Sequence, residues 1–249
     1  AVIGTGALGK HHARIYAELA KEGLIECVGV YDQNISAAKE VANQHRIPLL
    51  QTMEEATELA HALSVVTPTI THFSIASGLL EKGKHLLVEK PMTDNTEQAK
   101  HLVELACKKN CVLQIGHVER FNPVFTYLNA SAKEPKFIET HRLSPYPARS
   151  TDIGVVLDLM IHDLDIVLAF VKSNVVQVDS AGVSVLSKSA DIANARLKFA
   201  NGCVANLTVS RISPERMRKI RVFSGGEEAS YISLDYQKQE GFIYRVASG

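Results

Sequence analysis

The chain has 249 residues, of which 46% are hydrophobic and 22% charged, an ordinary globular composition that suits one large domain or two modest ones. Its 27 basic residues balance its 27 acidic residues, so no net charge favours nucleic acid or an anionic membrane surface. The four cysteines include no CxxC pair, which disfavours a zinc site and favours reduced thiols. We therefore expect a cytoplasmic protein without a metal, and with neither nucleic acid nor a membrane as its partner.

The first half of the sequence alternates short β-branched runs with amphipathic stretches, which predicts a parallel sheet with helical crossovers. Strands are predicted at Ala1–Ile3, Ile25–Tyr31, Leu63–Thr67, His85–Glu89 and Val112–Ile115, with a weaker one at Pro48–Leu50. Helices are predicted at Lys10–Lys21, Ser36–His45, Thr69–Lys82 and Asn95–Lys109, the last with Asp94 as its N-cap. Six strands with this spacing indicate a complete Rossmann sheet, an α/β doubly wound fold.

After about Gly116 the pattern changes to one of few helices and many strands. Helices are predicted at Asn122–Ala130 and Ile153–Val171, and strands at Phe137–Leu143, Val175–Leu186, Ile192–Ala200, Cys203–Arg211, Lys219–Ser224, Ala229–Asp235 and Gly241–Val246. Asn201-Gly202 indicates a hairpin with a type I′ turn, in which both residues have positive φ. We therefore predict two domains: a dinucleotide-binding Rossmann domain over residues 1–117, and an α+β domain with a large, mostly antiparallel sheet over residues 118–249.

A glycine-rich motif follows the first predicted strand and opens the first helix. It comprises Gly4, Thr5, Gly6, Ala7, Leu8 and Gly9. Its glycines permit a tight turn, close approach of a pyrophosphate and close helix–strand packing, and the helix N-terminus supplies free N–H groups. Asp32 ends the second strand about 20 residues later, where a carboxylate can accept from ribose hydroxyls and disfavours a 2′-phosphate. The motif predicts NAD as cofactor, and we expect His11 and His12 to face solvent.

Two polar segments follow later strands of the predicted parallel sheet. In such a sheet, ligands bind outside the C-terminal ends of the strands. The residues predicted to border the cofactor crevice are Thr67, Pro68, His72, Glu89 and Lys90. A lysine held between a strand end and Pro91 is placed to meet a substrate hydroxyl, although an exposed lysine at a strand end is the more usual explanation of this segment alone.

Two polar residues interrupt the long apolar helix predicted at Ile153–Val171. Asp158 and His162 are four residues apart and therefore share a face of that helix. Burying a carboxylate and an imidazole together is costly unless they are paired or functional. The pair is consistent with catalysis or with a satisfied core interaction, and the spacing alone does not separate the two.

Five segments taken together resemble the glucose–fructose oxidoreductase/inositol dehydrogenase family, known as Gfo/Idh/MocA. They are VIGTGALGKHHARIY, GVYD, VVTPTITH, VEKPM and VVLDLMIHDLDIV, and they occur in the family's order over nearly the whole chain. The resemblance implies an NAD-dependent dehydrogenase acting on CH–OH groups, in which Lys90, Asp158 and His162 surround the reacting carbon. The general base could be His162, oriented by Asp158, or Lys90 with a depressed pKa; either could receive the hydroxyl proton.

Three further segments, QIGHVERFNP, HRLSP and LMIHDLDIV, most resemble the branch of the family that oxidises the 3-hydroxyl of UDP-N-acetylglucosamine. A UDP-sugar brings two phosphates, for which arginine is a suitable ligand. The resemblance therefore implies a substrate site that includes His117, Arg120, Asn122, Arg142 and Arg149. Alternatives are a dehydrogenase of the same family acting on another sugar, an inositol or a UDP-glycuronic acid, and a non-catalytic NAD-binding regulator.

The strands after residue 175 indicate a large sheet in the second domain. One face is expected to pack on the long helix, while the other is left for a partner. We therefore expect a homodimer or homotetramer formed through the C-terminal sheet, with a small-molecule substrate as the other partner.

Overall fold

The computed structural model describes residues 1–146, 153–226 and 229–245. The chain forms two compact units, Ala1–Gly116 and His117–Gly249. Within the described residues, no helix has both the length and the apolar character needed to cross a membrane.

The N-terminal unit is a parallel sheet with helices on both faces. Its strands are β1 (Val2–Ile3), β2 (Val30–Tyr31), β3 (Ala62–Val65), β4 (His85–Val88) and β5 (Leu113–Ile115), in the spatial order β2-β1-β3-β4-β5. Its helices are α1 (Gly9–Lys21), α2 (Ile35–His45), α3 (Met53–Leu59), α4 (Thr69–Glu81) and α5 (Thr96–Lys108). Val2 packs into a core with α1 and α2, whereas Ile3 packs into a separate core with α4 and α5. Alternate residues of one buried strand therefore serve opposite layers, as the doubly wound fold requires.

Three details of this unit differ from the sequence prediction. The weak strand at Pro48–Leu50 is reduced to one bridge between Val30 and Leu49, so the described sheet has five strands. The second strand covers only Val30–Tyr31, directly after Gly29, whose φ of 136° breaks the extended ladder. The N-cap of α5 is Asn95, which accepts from the Gln98 N–H at 2.9 Å, and Asp94 instead accepts from the Asn95 amide.

Helix α3 was not predicted, yet its sequence carries a start signal. Thr52 caps the helix by accepting from the Glu55 N–H at 3.0 Å, and Glu55 reaches back to the Gln51 N–H at 2.6 Å. This is close to a capping box, in which Thr and a Glu three residues later satisfy donors reciprocally. The sequence Thr-Met-Glu-Glu is therefore typical of a helix N-terminus.

The C-terminal unit is a mixed sheet, mostly antiparallel, packed on one face against helices. Its described strands are β6 (Pro135–Leu143), β7 (Val175–Val183), β8 (Ile192–Phe199), β9 (Val204–Ser210), β10 (Met217–Ser224), β11 (Ser230–Asp235) and β12 (Glu240–Arg245), in the order β12-β11-β10-β6-β9-β8-β7. Only the β6–β9 pairing is parallel among these described strands. Helices α6 (Pro123–Ser131) and α7 (Ile161–Val171) contribute to the core on one face.

Two local features of this unit also depart from expectation. The helix predicted from Ile153 consists of a π-helical segment, Val156–Met160, that leads directly into α7. The β8–β9 hairpin forms as predicted, but its turn is not type I′, because Gly202 has positive φ (84°) and Asn201 does not. The turn is closed by the Gly202 N–H, which donates to the Phe199 carbonyl at 2.9 Å, and the Asn201 side chain also accepts from the Cys203 N–H at 3.1 Å.

Candidate active site

The glycine turn connects β1 to α1, and of its three glycines only Gly6 borders open space. A Cβ on Gly4 would lie 2.5 Å from the Val66 carbonyl oxygen, and one on Gly9 would overlap the Gly4 carbonyl oxygen. At Gly6, in contrast, a Cβ would meet nothing within 4 Å. Gly4 and Gly9 therefore allow backbone segments to touch, whereas Gly6 leaves open space beside the start of α1, where a pyrophosphate binds in this fold.

Asp32 lies against this turn rather than in a separate loop. Its carboxylate accepts from the Thr5 N–H at 2.7 Å, the Thr5 hydroxyl at 3.1 Å and the Asn34 N–H at 2.9 Å. These bonds orient a half-buried carboxylate beside the glycine turn, and a carboxylate can accept further bonds from ribose hydroxyls. The chain's own residues therefore fit NAD.

The turn after β3 lies beside the glycine turn. A Cβ on Gly4 would lie 3.1 Å from the Thr67 nitrogen, so the backbone after β3 touches the glycine turn at Gly4. His72 does not reach it. It is 1% exposed, and its two ring nitrogens each lie 2.8 Å from a carbonyl oxygen, those of Pro91 and Thr67. Its predicted contact with the cofactor is therefore corrected: His72 joins two loops from within the core.

Lys90 follows β4 and is half-buried, with a cis peptide bond to Pro91. Glu89, which is 7% exposed, accepts from the Lys90 N–H at 3.2 Å and lies 3.1 Å from His12 Nε2. Glu89 is therefore paired inside the unit, and its contact with the cofactor stays a prediction. His12 was expected to face solvent and does not, whereas His11 is exposed.

Asp158 and His162 lie on the same continuous helix, on either side of the change from π to α geometry. Asp158 belongs to the π-helical segment and His162 to the first turn of α7, and both are half-buried. π-helical turns are rare and occur frequently at functional sites, because the wider turn reorients side chains. The feature therefore occurs where the sequence placed its second catalytic motif.

Arg142 lies in the core of the C-terminal unit. Its guanidinium is bound by Asp163, with the closest contact at 2.9 Å, and by Glu119 at 3.1 Å, and the residue is 3% exposed. Burial disfavours the charged guanidinium, but Asp163 and Glu119 outweigh it and raise the pKa of Arg142. The prediction that Arg142 binds a substrate phosphate is therefore wrong: its donors are already used by two buried carboxylates.

The other predicted substrate residues differ in their surroundings. Asn122 caps α6 by accepting from the Val124 N–H at 3.0 Å and also donates to the Tyr236 carbonyl, so its amide has a structural role. Arg120 makes a bidentate pair with Asp165, at 2.7 and 2.6 Å, and its side chain is 49% exposed. The hydrogen bond to Asp165 raises the pKa of Arg120.

His117 lies 4.0 Å from Asp165. Asp165 follows His162 by three residues on α7, so His117 and Arg120 are linked to the helix that bears the proposed base. Sequence reasoning missed Asp163 and Asp165, although both were visible as acids in an otherwise apolar helix. Arg149 lies outside the described residues.

These features define an NAD-dependent oxidoreductase, with the glycine turn and Asp32 in the first unit and a sheet-and-helix second unit. The chain belongs to the Gfo/Idh/MocA family. Residues 1–117 match the family model described as "Oxidoreductase family, NAD-binding Rossmann fold", and residues 115–232 match "GFO/IDH/MocA C-terminal domain".

Named relatives support the same class. The chain is 39% identical to UDP-N-acetylglucosamine 3-dehydrogenase of Acidithiobacillus ferrooxidans over 249 residues, which is 100% of this chain and 77% of that enzyme. A crystal form of that enzyme matches with a TM-score of 0.90, covering 98% of this chain and 78% of the other. The chain is 26% identical to scyllo-inositol 2-dehydrogenase (NAD(+)) of Bacillus subtilis, covering 86% of this chain and 67% of that enzyme.

Proposed function

We propose that this protein oxidises the 3-hydroxyl of UDP-N-acetylglucosamine to a ketone, with NAD as the acceptor. The observation that carries the proposal is the 39% identity to UDP-N-acetylglucosamine 3-dehydrogenase over the whole chain. The 26% identity to an inositol dehydrogenase is lower and covers less of the chain, so an inositol substrate is less well supported. Lys90, Asp158 and His162 are all present, which favours an enzyme over a non-catalytic regulator.

In the proposed reaction, His162 accepts the proton of the substrate hydroxyl as general base. Imidazole is suited to this because its ordinary pKa lies near neutrality. Asp158, four residues earlier on the same helix, orients the ring and stabilises its protonated form. Lys90, as an ammonium group, stabilises the negative charge that develops on the oxygen as the proton leaves. Bound NAD supplies the hydride acceptor for the carbinol carbon.

We further propose that Arg120 and His117 contact the sugar nucleotide. The Arg120 guanidinium is half-exposed while Asp165 fixes its orientation, which is the condition for a preorganised ligand of an anion. Arg142 and Asn122 are not included, since their polar atoms are engaged within the unit.

A substrate panel tests the proposal. The protein is incubated with NAD and, in separate reactions, with UDP-N-acetylglucosamine, UDP-N-acetylgalactosamine, UDP-glucuronic acid and scyllo-inositol, while NADH formation is followed. We expect kcat/KM for UDP-N-acetylglucosamine to exceed the others by at least about tenfold, which corresponds to the net free energy of one hydrogen bond, about 1.4 kcal/mol. A higher kcat/KM for scyllo-inositol or for UDP-glucuronic acid would contradict the proposed substrate.

Asp32→Asn is expected to weaken the preference for NAD. The substitution keeps the shape and an acceptor oxygen facing Thr5, but it removes the charge that repels a 2′-phosphate. We expect the ratio of kcat/KM for NAD over NADP to fall by roughly tenfold or more. Gln33→Asn, on the exposed neighbouring residue, is the control and should leave the ratio unchanged.

We also propose a homodimer or homotetramer that forms through the open face of the C-terminal sheet. Supporting it is a row of aromatic side chains across neighbouring strands, in which Phe223 lies 5.9 Å from Phe137 and 4.9 Å from Tyr231, and Tyr231 lies 6.1 Å from Tyr244. Phe223 is 39% exposed and Tyr244 63% exposed. Exposed aromatic patches of this kind mark protein–protein contacts.

Phe223→Glu tests this surface. A charge in the middle of the aromatic row should split the oligomer, because an unpaired carboxylate is costly to bury. The control is Val103→Glu, because the apolar side chain of Val103 is exposed on α5. Light scattering should report an oligomer of the 27.2 kDa chain for the wild type and for Val103→Glu. It should report a smaller species for Phe223→Glu. A monomeric wild type would rule out the proposed assembly.

We propose that the protein is cytoplasmic. This rests on the cofactor and on the four cysteines, all of which are free thiols.

A further inference from the structure

His12 and Glu89 form a largely buried pair between two elements that are distant in sequence. His12 lies on α1, the helix that begins at the glycine turn, and Glu89 lies at the end of β4, next to Lys90. His12 Nε2 is 3.1 Å from Glu89 Oε1, and the two side chains are 16% and 9% exposed. The pair therefore joins the cofactor helix directly to the segment that carries the proposed catalytic lysine.

The pair is one end of a longer hydrogen-bonded chain. His12 Nδ1 lies 3.2 Å from the Ser64 hydroxyl, which lies 2.6 Å from the Tyr16 hydroxyl. One arrangement of protons satisfies every member: Tyr16 donates to Ser64, Ser64 donates to the neutral His12 ring, and His12 Nε2–H donates to Glu89. The orientation of the His12 ring is thus restrained by groups on β3 and on α1 itself.

Glu89 passes this restraint to Lys90. Its second carboxylate oxygen accepts from the Lys90 N–H at 3.2 Å. On the other side of Lys90, the buried His72 lies 2.8 Å from the Pro91 carbonyl oxygen. The backbone around Lys90 is therefore held on both sides: by Glu89, which contacts His12, and by His72, which contacts the next residue, Pro91.

A glycine at the end of β5 makes room for the Glu89 carboxylate. A Cβ on Gly116 would lie 2.6 Å from Glu89 Oε1 and 2.8 Å from Oε2, which no real contact allows. Helix α1 and strands β3, β4 and β5 thus all contribute to the position of this one side chain. Burying a carboxylate is costly, and apolar residues of the same volume would fill this space without that cost, so stability alone does not account for this arrangement.

We infer that His12 is a positioning residue for the reaction: through Glu89 it holds the Lys90 backbone in place relative to the helix that binds the cofactor. The inference rests on the proposed role of Lys90. Displacing a catalytic group by about 1 Å can lower the rate by up to roughly 100-fold, so loss of this restraint should reduce kcat more than it reduces cofactor binding.

The test compares three variants for turnover, NAD affinity and amide hydrogen exchange. His12→Leu removes both ring contacts, His12→Gln keeps a donor for Glu89, and His11→Leu is the control on the exposed neighbouring residue. For His12→Leu we expect kcat to fall by about 30-fold with the Kd for NAD changed less than about threefold, and we expect faster exchange in the peptide that contains Lys90. His12→Gln should restore most of the kcat and most of the slow exchange around Lys90. His11→Leu should match the wild type in all three measurements.

Two results would overturn the inference. One is a His12→Leu variant that equals His11→Leu in hydrogen exchange around Lys90. The other is loss of NAD affinity in proportion to kcat, which would assign His12 to support of the cofactor helix alone. If the wild type does not oxidise UDP-N-acetylglucosamine, the proposed substrate fails, but the exchange measurement still decides whether His12 holds the Lys90 segment.

Discussion

Lys90→Met and His162→Asn are each expected to lower kcat by about 1,000-fold while leaving NAD bound. A positioned acid or base contributes roughly 100- to 10,000-fold to a proton transfer, and a cation at the developing negative oxygen contributes a similar amount. Met preserves the length of the lysine side chain, and Asn preserves part of the imidazole's polar shape, so both variants should fold. Initial rates with UDP-N-acetylglucosamine and NAD, together with NAD affinity by calorimetry, measure the effect.

The pH profile of the residual activity separates the two roles. If His162 is the base, His162→Asn loses the acidic limb of the kcat profile, whereas Lys90→Met keeps that limb at a lower rate. Lys84→Met, immediately before the strand that Lys90 follows, and His61→Asn, on an exposed residue, are the matched controls and should retain wild-type turnover. Near-normal turnover in both Lys90→Met and His162→Asn would contradict the scheme.

Arg142→Met is expected to destabilise the protein by about 3–5 kcal/mol, the typical cost of removing one partner from a buried charge pair. The substitution leaves Asp163 and Glu119 together, without the guanidinium that lies 2.9 and 3.1 Å from them. Asp163 lies next to His162 on α7, so activity should fall at temperatures well below those that inactivate the wild type. Urea or thermal unfolding of the purified variant measures the free-energy change.

The loss of folding stability in Arg142→Met should depend on pH. Burial raises the pKa of Asp163, and Arg142 opposes that rise. Without the arginine, this pKa rises further above its unfolded value, so the folded state binds a proton more readily and gains stability as pH falls. We therefore expect a smaller deficit at about pH 5.5 than at about pH 7.5. Arg14→Met, which breaks an exposed Arg14–Glu18 pair, should cost less than about 1 kcal/mol at either pH. Equal losses of folding free energy in Arg142→Met and Arg14→Met would contradict the interpretation of Arg142 as part of a buried charge pair.

The parts of the site that depend on local sequence were predictable. The glycine turn and Asp32 need only one strand, one turn and one helix, each of which has a strong local pattern. The alternation of buried and less buried residues along β6 also indicates which side chains lie in the core. Ile138, Thr140 and Arg142 are all buried on one face, so period two alone places Arg142 in the core with Ile138.

The contacts that cross between distant elements were not predictable in this way. On α1 the buried stripe contains Ala13 and Ala17, and His12 lies one residue beside it, at the border between core and solvent. Its burial is decided by Glu89, which is 77 residues away and arrives at the end of another strand. Helical periodicity contains no information about such a partner.

The measurement that tests the central claim most directly is transfer of a labelled hydrogen. UDP-N-acetylglucosamine carrying deuterium at C3 of the sugar is incubated with the protein and NAD, and the nicotinamide and the sugar nucleotide are both examined by mass spectrometry and NMR. The account predicts deuterated NADH and a UDP-sugar with a carbonyl at C3. Unlabelled NADH, or a carbonyl at another carbon, would contradict it.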